Sequence, residues 1–374
     1  MTMGECPTRI AGLQRQMDVR GIDAAILTDE ANVTYFAGYI TEHFFLTRSR
    51  TLALIVPAAG EPLAIAPSSH VRDISEQTGL RAIGYDSLRH APIAQIGAAL
   101  DDLGARHVGL ELGLEQRINM TARDLDRLRR HEHAEFTDIS DMVWTLRAVK
   151  SPAELSMIER ACRIAEQAWA RCLPRVRAGD TERDLAAHLA AEIALLGGRV
   201  AFLIVTSGIG DFYRSNGAPR DRVLRDGDFV FVDIGVRHNG YHADFNRTFV
   251  LGRPSAEQAT MQALVKEVSE GAARHLVPGV TAAEVYARVL DDCRAAGLAI
   301  RPPGRIGHGV GLGVTEPPHI SAEDAMVLAE GVVTTIEPMV ERPDALYCAE
   351  CIYAVSASGG YRLNAGGSAL ESAG

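Results

Sequence analysis

Asp233, Asp244, His308, Glu337 and Glu350 lie in the second half of a 374-residue chain and are all of types that bind divalent metal ions. Four carboxylates and one imidazole can hold a pair of such ions and activate water between them. Asp233 interrupts the apolar run Phe229-Val230-Phe231-Val232, and Arg237-His238-Asn239-Gly240 has the composition of a turn. Asp244 follows 11 residues after Asp233. A hairpin of this length places both acids on facing strands. Two unpaired carboxylates in an apolar sheet are costly, and a cation between them relieves the cost. The competing reading ends the strand in solvent at Asp233 and pairs Asp244 with Arg247.

His308 sits in Gly307-His308-Gly309-Val310-Gly311-Leu312-Gly313, where glycine lets backbone approach closely. A phosphate-binding loop is the alternative, but the Lys-Ser/Thr ending is missing and the segment runs into Pro317-Pro318 instead of a helix. Glu337 ends the β-branched run Val332 to Ile336, which favours a ligand or an acid/base over a surface charge. Glu350 is one acid in the apolar run Leu346 to Val355. Read as one strand, that run puts Cys348 and Glu350 on one face and Cys351 on the other.

The elements that must carry these residues fall into two groups divided near residue 150. Residues 1–148 read as an α/β domain: strand-like runs at Ala24–Leu27, Thr51–Val56, Leu63–Ile65 and His107–Leu110 alternate with helical patterns at Ala91–Leu103 and Thr121–Arg130. Residues 149–374 read as α+β, with a mainly antiparallel sheet backed by helices. Ser151 and Glu154 form a capping box around Pro152, so a long helix runs to about Cys172. The same start signal recurs at Thr181 with Asp184, Ser255 with Gln258 and Thr281 with Glu284, and Gly197-Gly198 and Gly297 stop two of these helices. Strands are predicted at Ala201–Thr206, Asp228–Ile234, Tyr241–Leu251, Val332–Ile336 and Leu346–Val355.

Composition narrows the function classes. Thirty-eight basic against 48 acidic residues give a net charge of −10, and no basic run offers a footprint for nucleic acid. Neither a signal-peptide stretch nor an apolar run of spanning length is present, so no membrane partner and a cytoplasmic location are expected. Six scattered cysteines suit free thiols in a reducing compartment, and the lone pair Cys348 and Cys351 is weak evidence for zinc.

Taken together, Phe231 to Gly235, Gly240 to Phe249, Gly307 to Leu312, Thr335 to Pro338 and Glu350 resemble the motif series of the pita-bread metallopeptidases. This superfamily includes Xaa-Pro dipeptidase (prolidase), aminopeptidase P and methionine aminopeptidase. The likeness runs from about Ser151 to Ala369, and the amino-terminal domain resembles the creatinase/prolidase type in position, size and linker. The resemblance implies that Asp233 holds one metal ion, that Asp244 and Glu350 bridge two, and that His308 and Glu337 complete the second. It implies a hydroxide between the ions as nucleophile and Glu337 as proton shuttle. An oxygen-rich donor set with one imidazole favours Mn²⁺, first, or Fe²⁺, Co²⁺ or Zn²⁺ over copper. The expected activity is dinuclear metal-dependent hydrolysis of a short peptide or related amide. The alternatives are a creatinase-like hydrolase or metal-dependent lyase acting on a small polar metabolite, and a catalytically silent binding domain.

The chain departs from its likeness at three positions. Prolidases and aminopeptidases P carry histidine where Asn216 and Thr315 stand, and commonly arginine where Cys348 stands. With His319 as a pocket-lining residue, these are the expected substrate contacts, and their chemistry predicts an altered grip on substrate. His242 shares a strand face with Asp244 by parity and is read as structural support. The resemblance implies a homodimer, since in relatives the corresponding domain of a second subunit can close over the active site. Tyr39, His43, Phe44, Phe45 and Arg48 are the corresponding aromatic loop, with simple core packing as the alternative.

Overall fold

Short runs buried on both faces build the middle of the first sheet. In the computed structural model, residues 3–41, 50–208, 217–300, 304–343, 345–365 and 369–374 are described. The chain divides into two units, Met1–Arg147 and Ala148–Gly374. The first contains β1 (Ala24–Leu27), β2 (Ala53–Pro57), β3 (Leu63–Pro67), β4 (Arg81–Tyr85), β5 (His107–Leu110) and β6 (Glu135–Asp138), ordered β4-β3-β2-β1-β5-β6. β2 runs antiparallel to both neighbours and the other pairings are parallel. All residues of β1 and β2 are buried, so these strands read as continuous apolar runs without alternation.

Helices α1 (Cys6–Arg20), α2 (Glu30–Ala37), α3 (Val71–Thr78), α4 (Ile93–Leu103), α5 (Ala122–Leu128) and α6 (Ser140–Ala148) complete the α/β arrangement. Sequence patterning misses α1 to α3, α6, β4 and β6. The reason is plain for α2, where Val33, Thr34, Tyr35 and Phe36 are β-formers whose burial overrides local preference. Its start is set by Asp29, which accepts from the Ala31 N–H, and its stop by left-handed Gly38.

The second unit contains α7 (Pro152–Cys172), α8 (Glu182–Leu195), α9 (Ala256–Gly271) and α10 (Ala282–Ala295). All four begin at the capping boxes expected from sequence. One sheet is β17 (Glu371–Ala373), β9 (Tyr241–Leu251), β8 (Phe229–His238) and β7 (Arg199–Ser207), in that order. The other is β11 (Glu316–His319), β10 (His308–Gly309), β12 (Val333–Ile336), β15 (Cys351–Ser356) and β16 (Gly359–Arg362), and β13 (Val340–Arg342) pairs with β14 (Ala345–Tyr347). Apart from the parallel β17–β9 contact, these pairings are antiparallel. Phe229, Phe231, Val265, Val289, Ile336 and Tyr347 belong to one apolar core under the site-bearing strands.

The unit has two like halves. α8 and α10 start at Thr181 and Thr281, and each is followed by a left-handed glycine, Gly197 (φ 82°) and Gly297 (φ 69°). Thr181 bridges Val223 as Thr281 bridges Val327. Gly179 N–H donates to Leu224 O at 3.0 Å, and Gly279 N–H donates to Leu328 O at 2.9 Å. The recurrent start signals are therefore the visible trace of a repeated helix-and-strand unit.

One predicted element is corrected. Leu346–Val355 is two strands in different sheets, β14 against β13 and β15 against β12 and β16, with residues 348–350 outside both. Alternation therefore does not govern Cys348 and Glu350. The chain must leave one ladder to join another, and side chains satisfy its backbone there. Among the described residues no helix is long and apolar enough to cross a membrane.

Candidate metal centre

The β8–β9 hairpin fixes the first two acids. Its register sets Gly235 against Asp244 and Asp233 against Asn246, so the two aspartates are diagonal neighbours on one face. The alternative pairing of Asp244 with Arg247 does not form. Arg247 donates from Nη1 to Asn246 O at 2.9 Å and lies 4.4 Å from the Phe245 ring centre. Asp233 lies within its strand instead of ending it. Oδ1 of Asp233 and Oδ1 of Asp244 are both buried without a hydrogen-bond partner. Such atoms are rare in native folds and ask for an ion or water.

His308 approaches from the other sheet. Gly307 makes this possible, because a Cβ there would stand 2.1 Å from Thr335 O. The His308 N–H donates to Thr335 Oγ1 at 3.2 Å. Its Nδ1 lies 3.0 Å from Gly309 O, so Nδ1 carries the hydrogen and Nε2 presents a lone pair. That Nε2 is 3.4 Å from Asp244 Oδ2 and 3.8 Å from Glu337 Oε1. Burial holds the imidazole neutral, with its pKa lowered to about 3. A neutral imidazole with Nδ1 tied to a carbonyl is the form in which histidine binds metal.

Glu337 follows β12, its N–H donating to Ile306 O at 2.8 Å. Glu350 sits in the break between β14 and β15, its N–H held by Asn246 Oδ1 at 2.7 Å. Asp244, His308 and Glu350 each offer an atom within 4.8 Å of the others. Without a cation this gathering is expensive for the ionised forms. Burial raises Asp233 to about 7 and, with Asp233 beside it, Glu337 to about 8. Burial followed by neighbouring carboxylates also drives Asp244 and Glu350 well above the carboxylate range. Oxygen donors with orphaned atoms, one prepared imidazole and mutual repulsion suit divalent cations, so the residues present fit the expected ions.

The structure also shows supports that sequence patterning missed. Asn246 donates from Nδ2 to Cys348 O at 3.1 Å while accepting from Glu350 N–H. Gln262 on α9 donates to the same Cys348 carbonyl at 2.8 Å, and Ser269 Oγ donates to Ala349 O at 2.6 Å. Asn246 shares strand parity with Asp244 and was open to discovery on that ground, whereas Gln262 and Ser269 act across the fold. Lys150 and Glu316, both side chains 1% exposed, pair at 2.8 Å, and the Gly313 N–H donates to the other Glu316 oxygen at 3.0 Å. This pair braces the glycine loop behind His308.

The expected substrate contacts are spread more widely. Cys348 is fully buried, and burial together with Glu350, Glu337 and Asp233 pushes its thiol well up. Thr315 lies half-buried in the loop before β11, and His319, at the end of β11, pairs in register with His308. Asn216 falls outside the described residues, as do His43, Phe44, Phe45 and Arg48. Tyr39 donates to Asp73 at 2.8 Å. His242 places Nδ1 3.2 Å from Gly311 O, against the loop that follows His308. The six cysteines are free and buried.

Residues 156–365 match the model of metallopeptidase family M24. The chain belongs to metallopeptidase family M24. Residues 9–149 match the creatinase/prolidase N-terminal domain, the second part of this M24 architecture. The M24 chain is 32% identical over 341 residues to a probable dipeptidase PepE of Mycobacterium bovis, covering 86% of this chain and 84% of the relative. It is 28% identical over 335 residues to an Xaa-Pro dipeptidase of Pyrococcus horikoshii, covering 87% and 88%. Its fold matches the dipeptidase PepE of Mycobacterium ulcerans with a TM-score of 0.85 at 27% identity, covering 100% of this chain and 99% of that one. The M24 member is thus a pita-bread metallohydrolase.

Proposed function

We propose that this chain is a dinuclear metal-dependent dipeptidase-type hydrolase that cleaves a short peptide or a closely related amide. The observation that carries the reading is the convergence of buried Asp244, His308 and Glu350 with half-buried Asp233 and Glu337, two of the aspartate oxygens being orphaned. Asp233 with the shared Asp244 and Glu350 would hold one ion, and His308 and Glu337 with the same shared pair the other, with Mn²⁺ the first candidate. Two divalent ions, when bound, supply an acidified water and Lewis-acid polarisation of the scissile carbonyl. The names of the relatives, dipeptidase and Xaa-Pro dipeptidase, support a dipeptide substrate.

The chain's own groups perform the proton work and the positioning. Glu337 is the proton carrier, taking a proton from the attacking water and passing it to the leaving nitrogen. Its seat at the end of β12, within 3.8 Å of His308 Nε2, keeps it at the centre. Burial keeps His308 neutral, and Gly309 O, by engaging Nδ1–H, fixes the tautomer that leaves Nε2 for an ion, so His308 competes for no proton in the cycle. Asn246, Gln262 and Ser269 fix the loop that presents Glu350. A half-buried hydroxyl at Thr315 and a buried thiol at Cys348 favour a second reading, turnover of a small non-peptide metabolite at the same centre.

Metal content and a substrate panel test this reading. The purified chain is expected to bind two Mn²⁺ per protomer and to hydrolyse members of a dipeptide panel that includes Xaa-Pro pairs. Glu337→Gln is expected to lower kcat by about 10²-fold or more. Fewer than one bound metal per chain sinks the metallohydrolase mechanism, and turnover confined to non-peptide amides selects the second reading.

A further inference from the structure

The hairpin that carries Asp233 and Asp244 closes through two residues, Asn239 and Gly240, between the paired His238 and Tyr241. Both have positive φ, 49° and 89°, as a type I′ turn requires. Asn239 is exposed, and the N–H of Gly240 enters no hydrogen bond among the described residues. Nδ1 of His238 lies 3.0 Å from Gly197 O, so it carries the hydrogen and leaves Nε2 as an acceptor. That Nε2 lies 3.3 Å from Asn239 Nδ2 and holds the side-chain amide beside the turn.

An asparagine followed by glycine is open to a reaction that other asparagines resist. The backbone nitrogen after asparagine can attack the side-chain carbonyl carbon, and only glycine, with no Cβ, leaves that approach clear. In the I′ turn the Gly240 nitrogen faces away from the side chain. Turning over the single Asn239–Gly240 peptide plane converts I′ into II′, the other turn that two-residue hairpins use, so the flanking ladder stays paired. Asn239 keeps its positive φ while its ψ moves to about −120°, where the Gly240 nitrogen eclipses Cβ and a five-membered ring can close. Gly240 then takes the negative φ of II′ without steric cost.

We propose that Asn239–Gly240 is a site of spontaneous succinimide formation, and that its isoaspartate product loosens the metal centre. A bond forms between Gly240 N and Asn239 Cγ, the Cγ–Nδ2 bond breaks, and the nitrogen leaves as ammonia with the proton that Gly240 gives up, which His238 Nε2 is placed to relay. Water then opens the ring on either side. Cleavage of the new Cγ–N bond gives aspartate on an unchanged backbone, whereas cleavage of the original C–N bond routes the chain through Cβ and Cγ and lengthens it by one atom. A two-residue loop fixes hairpin register by its length, and this register sets Gly235 against Asp244 and Asp233 against Asn246. The added atom therefore acts on the separation of the two aspartates. The modification stands apart from any activity, and its effect on the ions rests on the metallohydrolase reading above.

Ageing and metal titration test the two halves separately. The metal-free full chain is held in warm, mildly alkaline buffer, labelled with an isoaspartate-specific methyltransferase and mapped as peptides. Label is expected at residue 239 and not at Asn32, Asn119, Asn246 or Asn364, which precede valine, methionine, arginine and alanine. Asn216, which also precedes glycine, shows that the chemistry proceeds under these conditions. Asn239→Gly keeps a turn that accepts positive φ and is expected to abolish the label at that position. Mn²⁺ is then titrated into fresh chain, into the chromatographically separated isoaspartate form and into Asn239→Asp, which carries the same charge on an unchanged backbone. The isoaspartate form is expected to lose affinity by about tenfold or more, as displaced ligand supports do, while Asn239→Asp stays within about twofold of the fresh chain. No label at residue 239, or label spread evenly over the asparagines, overturns the modification site. Equal affinity in the isoaspartate form and Asn239→Asp overturns the link to the ions. A fresh chain that binds no Mn²⁺ refutes the metallohydrolase reading and that link with it, while the label at residue 239 still decides the modification.

Discussion

Replacing Asn246 with alanine tests whether the centre depends on the break between β14 and β15. Asn246 is fully buried and lies directly opposite Asp233, yet both of its side-chain hydrogen bonds go to residues more than a hundred positions away. The Cys348 carbonyl retains Gln262 as a donor at 2.8 Å, so it stays satisfied. The Glu350 N–H, whose bond to Asn246 Oδ1 is 2.7 Å, loses its acceptor inside the protein. An orphaned buried amide costs about 1–3 kcal/mol and the second lost bond about 1 kcal/mol, so the expected destabilisation is about 3 kcal/mol. For a domain of this size that is roughly 6–12 °C in the melting midpoint. Because the released amide belongs to a bridging candidate, metal affinity should fall by about 10–100-fold. Scanning calorimetry and Mn²⁺ titration of the variant measure both quantities. A variant that melts lower but binds metal with wild-type affinity refutes the idea that Asn246 positions Glu350.

Further expectations concern the centre and its bracing. In the metal-free protein Asp233 at about 7 and Glu337 at about 8 hold protons more tightly folded than unfolded. Stability from such raised groups is full below the unfolded values near about 4 and is lost as pH rises. The urea midpoint of chelator-treated protein should therefore fall between about pH 4 and pH 8, and a flat or rising profile contradicts the assigned burial. Saturating Mn²⁺ at about 100 times Kd should add about 2.7 kcal/mol per independent site, read as a rise in the melting midpoint that EDTA reverses. Glu316→Leu strands a buried Lys150 and the Gly313 N–H, and should cost about 3–5 kcal/mol. Lys150→Met on the same background should restore much of that loss, which a double-mutant cycle by urea unfolding measures. Gly307→Ala drives a Cβ against Thr335 O and should abolish the stable second domain, seen as loss of its calorimetric transition.

The candidate ligands were legible because each is a polar interruption of an apolar run, a contrast that local reading detects. Asp233 within Phe229–Ile234 and Glu337 after Val332–Ile336 are examples. The four capping boxes of the second unit were legible for the same reason, since a serine or threonine and an acid or amide three residues later satisfy backbone groups within one turn. What local patterning could not supply was contact across the fold. Cys348, Ala349 and Glu350 read as strand because their neighbours are β-formers, but Asn246, Gln262 and Ser269 take over their backbone bonds.

The likeness of the two halves of the second unit bears on how the protein responds to its ions. Asp233 and Asp244 come from the half that follows α8, and His308, Glu337 and Glu350 from the half that follows α10. Neither half owns a complete donor set, and a pair of ions shared among the five would act as a rivet between two pieces of similar build. Occupancy then becomes a mechanical coupling: a change in how tightly the halves dock is felt as a change in metal affinity, and metal loss is felt as slack along their common seam. Hydrogen exchange at β9 and β12, one strand from each half, should slow together when Mn²⁺ is added, whereas the amides of β2, in the first unit, should not follow.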